Sequence, residues 1–203
     1  CGIVGAIAQR EVAPILLEGL KRLEYRGYDS AGLVVLNESA ELERIRTNGK
    51  VVQLANAYDR QPVIGKTGIA HTRGANHGKP SESNAHPHIC RNKVAVVHNG
   101  IIENHQTLRE QQSKLGFTFT SDTDTEVVVH QVCHQLDQGG INDGRHIQPG
   151  LFQHQRGAIG IVLLVTSTSA VRAQLYLGVR QLNWAGTTWM GLNYWDDSRC
   201  VDY

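Results

Sequence analysis

Cys1-Gly2-Ile3-Val4-Gly5-Ala6-Ile7-Ala8 opens the chain with an apolar run over residues 3–8 that is broken once, at Gly5. Beyond it Val12, Ile15, Leu16, Leu20 and Leu23 recur at helical spacing, with Pro14 placed where a first helical turn tolerates it. Strand followed by helix is the simplest reading. Working outward, residues 27–32 are rich in turn formers, and residues 33–36 and 42–46 read as paired strands around the polar stretch 37–40. Residues 51–58 fit a second, shorter helix. Residues 67–73 and 93–98 read as two further strands, separated by a long polar loop of Gly, Pro, Ser and His, of the kind that carries function. Helical composition returns at 105–115 and 125–136, with Asp122 to Asp124 as candidate N-cap residues for the second helix. Residues 158–166 form a strongly apolar strand. This mixed order of strands and helices predicts α+β layers. Trp184, Trp189 and Trp195 lie in a Gly- and Asn-rich tail without a period that assigns it to an element.

The chain has 203 residues, 40% of them hydrophobic, which is enough to bury a core. No repeat, linker or low-complexity tract divides it, so residues 1–203 read as one domain. A net charge of +1, from 20 Lys and Arg against 19 Asp and Glu, creates no field that would gather nucleic acid or an anionic membrane. Small ligands are expected instead. No stretch approaches the roughly 18 apolar residues of a spanning helix and no secretory pattern opens the chain, so a cytoplasmic location is expected. Cys1, Cys90, Cys133 and Cys200 form no CxxC pair, which argues against a zinc ribbon or a disulfide framework.

Cys1 stands apart by position. A thiol with a pKa of about 8.5 is little ionised at neutral pH, so a catalytic cysteine needs a base or a cation beside it. A cysteine that heads its chain carries its own base, because a free α-amine with a pKa of roughly 7.7 to 8 can take the thiol proton as sulfur attacks. The glycines at positions 2 and 5 leave room for a substrate carbonyl at the head of that strand.

Three other segments bear on the same chemistry. Gly68-Ile69-Ala70-His71-Thr72-Arg73-Gly74-Ala75-Asn76-His77-Gly78 delivers an arginine where an apolar strand meets the polar loop, and a guanidinium there can hold a carboxylate with two parallel bonds. Val96-Val97-His98-Asn99-Gly100-Ile101-Ile102 sets Asn-Gly between apolar runs. Two readings stand: a hairpin turn of residues that tolerate positive φ, or an amide and a backbone N–H aimed at a developing oxyanion. Ser121-Asp122-Thr123-Asp124-Thr125-Glu126 likewise reads either as helix capping or as a carboxylate for a substrate ammonium. Histidines 77, 86 and 88, and His130 and His134 beside Cys133, lack the further ligands and the HExxH pattern that a metal site requires, so none is expected.

The segments CGIVG, LEYRGYDSAG, GIAHTRGANHG, SNAHPH, VVHNGIIENH and SDTDTE, collinear from Cys1 to about Gly140, closely resemble the glutaminase domain of the glutamine:fructose-6-phosphate amidotransferase family. A weaker likeness returns at residues 156–165 and then fades. The resemblance implies the N-terminal nucleophile hydrolase fold, a four-layer αββα sandwich, and class II glutamine amidotransferase chemistry that needs no cofactor. On the family pattern Cys1 is the nucleophile and its α-amine the base, while Asn99 and Gly100 form the oxyanion hole. Arg73 holds the α-carboxylate of L-glutamine, Asp124 its α-ammonium, and Asn76, His77 and His86 line the pocket or its loop. Residues 26–32 support the site. The family's sugar isomerase half, the partner that accepts ammonia, has no counterpart in these residues. Two departures stand out: Gly74 where the family usually has tryptophan, and Asn76 where it usually has threonine. Both fall in the substrate loop, so an alternative reading is a glutamine-binding or regulatory module with impaired turnover.

Overall fold

The computed structural model describes residues 1–74 and 80–138, together with the backbone of two strands at 159–166 and 173–180. Alternation along the early strands sets the architecture. In β1 (Gly2–Ile7), β2 (Ser30–Leu36), β3 (Leu42–Asn48) and β4 (Thr67–Arg73), successive side chains fall on opposite faces of one antiparallel sheet, ordered β1-β4-β2-β3. Ala6, Ala31, Leu33, Val35 and Ala70 face one way and pack with helix residues. Val34, Leu36 and Ile69 face the other way, where they meet Ala95 and Val97 of a second sheet. That sheet joins β5 (His88–Cys90), β6 (Val94–Asn99), β7 (Ile159–Thr166) and β8 (Ala173–Arg180), all antiparallel and in sequence order.

Two helices cover each sheet. On the first, α1 (Ala13–Leu23) buries Ala13, Leu16, Leu17 and Leu20, the i, i+3, i+4, i+7 stripe that a 3.6-residue period places on one face. Beside it, α2 (Val51–Arg60) buries Val51 and Leu54. A 3-10 turn at Glu24–Arg26 links them, since the Glu24 carboxylate accepts the Val51 N–H at 2.8 Å, at the start of α2 where such donors lack a helical partner. On the second sheet, α3 (His105–Lys114) and α4 (Glu126–Asp137) close over Val94, Val96 and Cys90. Three consecutive valines at 127–129 are poor helix formers, but all three are buried, and burial outweighs their propensity. The layers are therefore helix, sheet, sheet, helix, as the resemblance implied. Among the described residues no helix is long and apolar enough to cross a membrane.

Several expectations need correction. Strand β2 begins at Ser30, inside the stretch read as a turn. Strand β5 lies within what was read as loop; it is only three residues long and begins with a histidine, so no alternation announced it. Strand β8 was not anticipated. Asp122 to Asp124 do not cap α4: its N-cap is Thr125, without a side-chain cap bond. The acid that ties this corner is Glu126, whose carboxylate accepts from the Thr120 and Ser121 N–H groups, each at 2.8 Å, and from both their hydroxyls. The tryptophan tail lies outside the described residues.

Burial pulls the Glu126 carboxyl upward, but hydrogen bonding from His130, Ser121 and Thr120 outweighs it and holds the group well below the usual carboxylate range. Its contribution is thus present above an unfolded-state pKa of about 4.3 and is lost as pH falls through the lower folded-state value. Glu126→Gln, which turns an amide donor toward donors, should cost about 3 kcal/mol at neutral pH. Urea midpoints of parent and variant should converge as pH falls below about 4. A gap unchanged with pH would show that this charge does not hold the corner.

Candidate active site

The inter-sheet space is apolar at one end and polar at the other, and the same alternation makes both. Along β4, Ile69 belongs to the inter-sheet core, and His71 and Arg73 follow two and four residues later on the same face. Along β6, Ala95 and Val97 are followed by Asn99. In β1, Ile3 packs against that core and Cys1 stands two residues before it. The β1–β4 register pairs Gly2 with Thr72, which seats Cys1 at the Arg73–Gly74 end of β4.

Cys1 is held from three sides. Its nitrogen donates to the Arg26 carbonyl at 2.7 Å, its sulfur accepts the Gly74 N–H at 3.3 Å, and its thiol points back at the Gly74 carbonyl at 3.6 Å. Partial burial lowers the pKa of the α-amine, and the nearby Arg26 cation lowers it further. Gly27 allows this arrangement, because a Cβ there would lie 2.5 Å from the Gly74 nitrogen. Gly74 itself is not so confined. Among the described residues a Cβ at 74 would meet nothing closer than the Arg26 carbonyl oxygen at 3.7 Å.

Asn99 donates its Nδ2–H to the Cys1 carbonyl at 3.2 Å, so the amide already reaches the first residue. Gly100 follows with φ of 145°, a region that side chains rarely enter. No strand pairs back after it; the chain turns and enters α3 at His105. The hairpin reading of Asn99-Gly100 therefore does not hold. The Ile102 N–H just beyond is pinned by Asp124 Oδ2 at 2.7 Å. That contact is what Asp124 does in the structure instead of capping.

Arg73 is buried at the end of β4, and its carbonyl accepts the Asp29 N–H at 2.9 Å. Burial lowers the guanidinium pKa, while Asp124 and Asp29 oppose the shift. The site therefore sets a buried cation and a buried acid near each other, beside the thiol. Such a pair can clamp the carboxylate and ammonium of an amino acid.

His86, expected near the pocket, is placed behind it. Its ring meets His71 edge-on with centroids 4.4 Å apart and His88 at 4.8 Å, and its Nδ1 lies 3.2 Å from His71 Nδ1. His71 in turn places Nε2 2.8 Å from Asn99 Oδ1. The sequence reading missed His71, although its position between Ile69 and Arg73 at two-residue spacing marked it as sharing their face. Asn76 and His77 lie outside the described residues. Of the histidines weighed as metal ligands, His130 sets Nδ1 3.3 Å from the buried Cys90 sulfur. Among the described residues no group of three or more His, Cys, Asp or Glu side chains is arranged to hold a metal ion.

Comparison with known proteins agrees with this geometry. The glutamine amidotransferase domain family matches residues 71–191, further along the chain than the likeness legible in the motifs. Glutamine–fructose-6-phosphate aminotransferase (isomerizing) of Shigella flexneri is 57% identical over 164 residues, covering 81% of this chain and 26% of that protein. The enzyme of the same name from Escherichia coli K12 gives the same figures, and that of Pseudomonas putida is 56% identical over 164 residues. The chain thus spans about a quarter of the length of these relatives. Among solved structures, glutamine phosphoribosylpyrophosphate amidotransferase from B. subtilis superposes with a TM-score of 0.67 at 22% identity, covering 88% of this chain and 37% of that one. A glutamine aminotransferase class-II domain protein from Silicibacter pomeroyi gives 0.53 at 16% identity, covering 91% and 79%. Fold and sequence agree, and the chain belongs to the glutamine amidotransferase domain family, with the N-terminal nucleophile hydrolase fold.

Proposed function

We propose that this domain hydrolyses L-glutamine to L-glutamate and ammonia through a thioester on Cys1, and that Cys1 carries a free α-amine in the working protein. The observation that carries the reading is the convergence of the Cys1 thiol, the Asn99 amide and the buried Arg73 at one end of the inter-sheet space. Arg73 takes the α-carboxylate of glutamine and Asp124 its α-ammonium, so the side-chain amide is delivered to sulfur. The α-amine removes the thiol proton as sulfur bonds to the amide carbon. The resulting oxyanion is met by Asn99 Nδ2–H and the Gly100 N–H. Collapse breaks the C–N bond, and the proton held by the amine leaves with ammonia. Water then adds to the thioester with the amine as base, and sulfur departs with a proton to leave glutamate.

The lowered α-amine pKa suits this role, since an amine that is deprotonated nearer neutral pH accepts a proton there. Asn76, His77 and His86 are retained as residues of the loop or its support. We propose further that residues 1–203 act as one glutaminase domain, and that ammonia passes to a sugar phosphate held by an isomerase part, as the relatives' name describes for them. The change at Gly74 removes no group used in these steps, so the turnover reading is preferred to a binding module.

Cys1→Ala should abolish ammonia release while thermal unfolding stays close to that of the parent; unchanged hydrolysis would sink the mechanism. The pH profile of kcat/KM should fall on its acid side with a midpoint below the ordinary α-amine range of about 7.7 to 8.0. Arg26→Gln, which removes a cation beside the amine, should move that midpoint upward. A profile flat from about pH 6 to 9 counts against the amine as base. Asn99→Ala should lower kcat about 100- to 1,000-fold with little change in KM, as for loss of one oxyanion donor. Gly74→Trp should fold as stably as the parent, because position 74 is open, and should lower KM for glutamine by covering the pocket. An unchanged KM would mean that position 74 is no cover here.

A further inference from the structure

We propose that His71 is the positioning residue of the oxyanion hole: a neutral imidazole, protonated on Nε2, that fixes the Asn99 amide so that its N–H, and not its carbonyl, faces the reacting centre. The inference rests on the hydrolytic reading above and deepens it.

Hydrogen-bond bookkeeping assigns every proton in the chain. Asn99 can be oriented in two ways. With Nδ2 toward Cys1 it donates to the Cys1 carbonyl at 3.2 Å, and its Oδ1 is then 2.8 Å from His71 Nε2. The flipped amide would set Oδ1 against the Cys1 carbonyl oxygen, two acceptors within hydrogen-bonding distance. Only the first orientation is satisfied, and it requires a proton on His71 Nε2. Burial, with the Cys1 amine and Arg73 as nearby cations, pushes His71 down to about 3, although its bond to Asn99 opposes the shift, so the ring is neutral and holds one proton. Its Nδ1 is then a bare acceptor. His86 Nδ1, at 3.2 Å, must be the donor to it, and His86 is also held neutral, chiefly by burial and further by the neighbouring imidazoles and Arg73. Both rings are buried and lie edge-to-face, so neither can turn without breaking the chain.

The direction of polarisation matters. His86 donates to His71 and His71 to Asn99, so each bond strengthens the next and polarises the Nδ2–H that is not given to the Cys1 carbonyl toward the oxyanion. A doubly protonated His71 would also donate to Asn99 but would drive the His86 proton onto Nε2, which is buried and meets no acceptor among the described residues. Among the described residues the groups facing His71 are His86, Asn99, Arg73 and the Cys1 amine, none of them an acid that would favour such a cation.

The test uses the 203-residue chain. Histidine 15N resonances of the parent should show His71 protonated on Nε2 and bare on Nδ1 at pH 7. The Nδ1-protonated form overturns the proposal. His71→Leu should lower kcat for glutamine hydrolysis about 10- to 100-fold with KM within about twofold, and His71→Gln, whose amide reaches the Nε2 position, should recover most of the loss. In an Asn99→Ala background the leucine change should cost less than about threefold, because its effect passes through Asn99. An equal loss in both backgrounds marks a merely structural role and overturns the proposal. If His71→Leu does not fold, the tautomer decides. Asn99→Ala without loss of kcat would sink the parent reading, whereas a costly Asn99→Ala with a harmless His71→Leu would sink this inference alone.

Discussion

The antiparallel pairing of Gly2 with Thr72 is the contact on which the site depends. It sets Cys1 beside the Arg73–Gly74 junction and sends Ile3 into the inter-sheet core with Ile69. Slipping the β1–β4 ladder by one residue would reverse the faces of β1, turning Cys1 toward the helical layer and taking Ile3 out of the inter-sheet core. The apolar clusters on both faces of the sheet oppose that slip. Core and candidate site are therefore fixed by one register, and the proposed nucleophile needs no separate scaffold.

A second constraint comes from burying so much polar material at one end of a sandwich. His71, His86, His88 and His98 are all nearly inaccessible, and each ring makes a defined contact: His88 Nε2 with the Thr123 hydroxyl at 2.9 Å, His98 Nδ1 with that of Thr125 at 3.0 Å, and the other two with each other. Burial, as the leading cause, lowers His88 to about 3. Neutral imidazoles avoid the desolvation cost of buried charge and still supply directional donors and acceptors. The loop carrying Ser121 to Thr125 is thereby tied to β5 and β6, and Asp124 closes the link by holding Ile102 just beyond Asn99 and Gly100.

Long periodic segments were legible in the sequence because burial imposes them. The stripe of α1 and the apolar half of β4 follow from which residues must avoid water. Strand β5 was not legible, since three residues with a histidine at their head carry no period, and it exists only because β6 offers a partner. The capping role expected of Asp124 failed for a related reason: a short carboxylate near a helix start is equally suited to any backbone donor in reach, and tertiary placement offered Ile102. For Asn99-Gly100 the local sequence allowed both a hairpin and an oxyanion corner. What removes the hairpin is the segment that follows, which enters a helix instead of pairing back. The roles of individual residues came from resemblance to a family; the contact between His71 and Asn99 joins two sheets and is written in neither segment alone.

The proposed oxyanion hole, one backbone N–H and one side-chain amide, divides its demands unequally. The Gly100 N–H is fixed by the chain, and its unusual φ is held by what flanks it: strand β6 before, and the Ile102–Asp124 bond after. The Asn99 amide has two torsions and a pseudo-symmetric head, so either its donor or its acceptor can face the thiol at little intrinsic cost. A hole that presents the acceptor repels the charge it must stabilise. Orientation must therefore be enforced from the side of Oδ1 by a group that can donate but not accept there. A carboxylate cannot do this, and a lysine in that position would add a buried charge. An imidazole whose other nitrogen is satisfied by a second ring meets the requirement without charge, which accounts for placing histidines where an apolar core would otherwise continue.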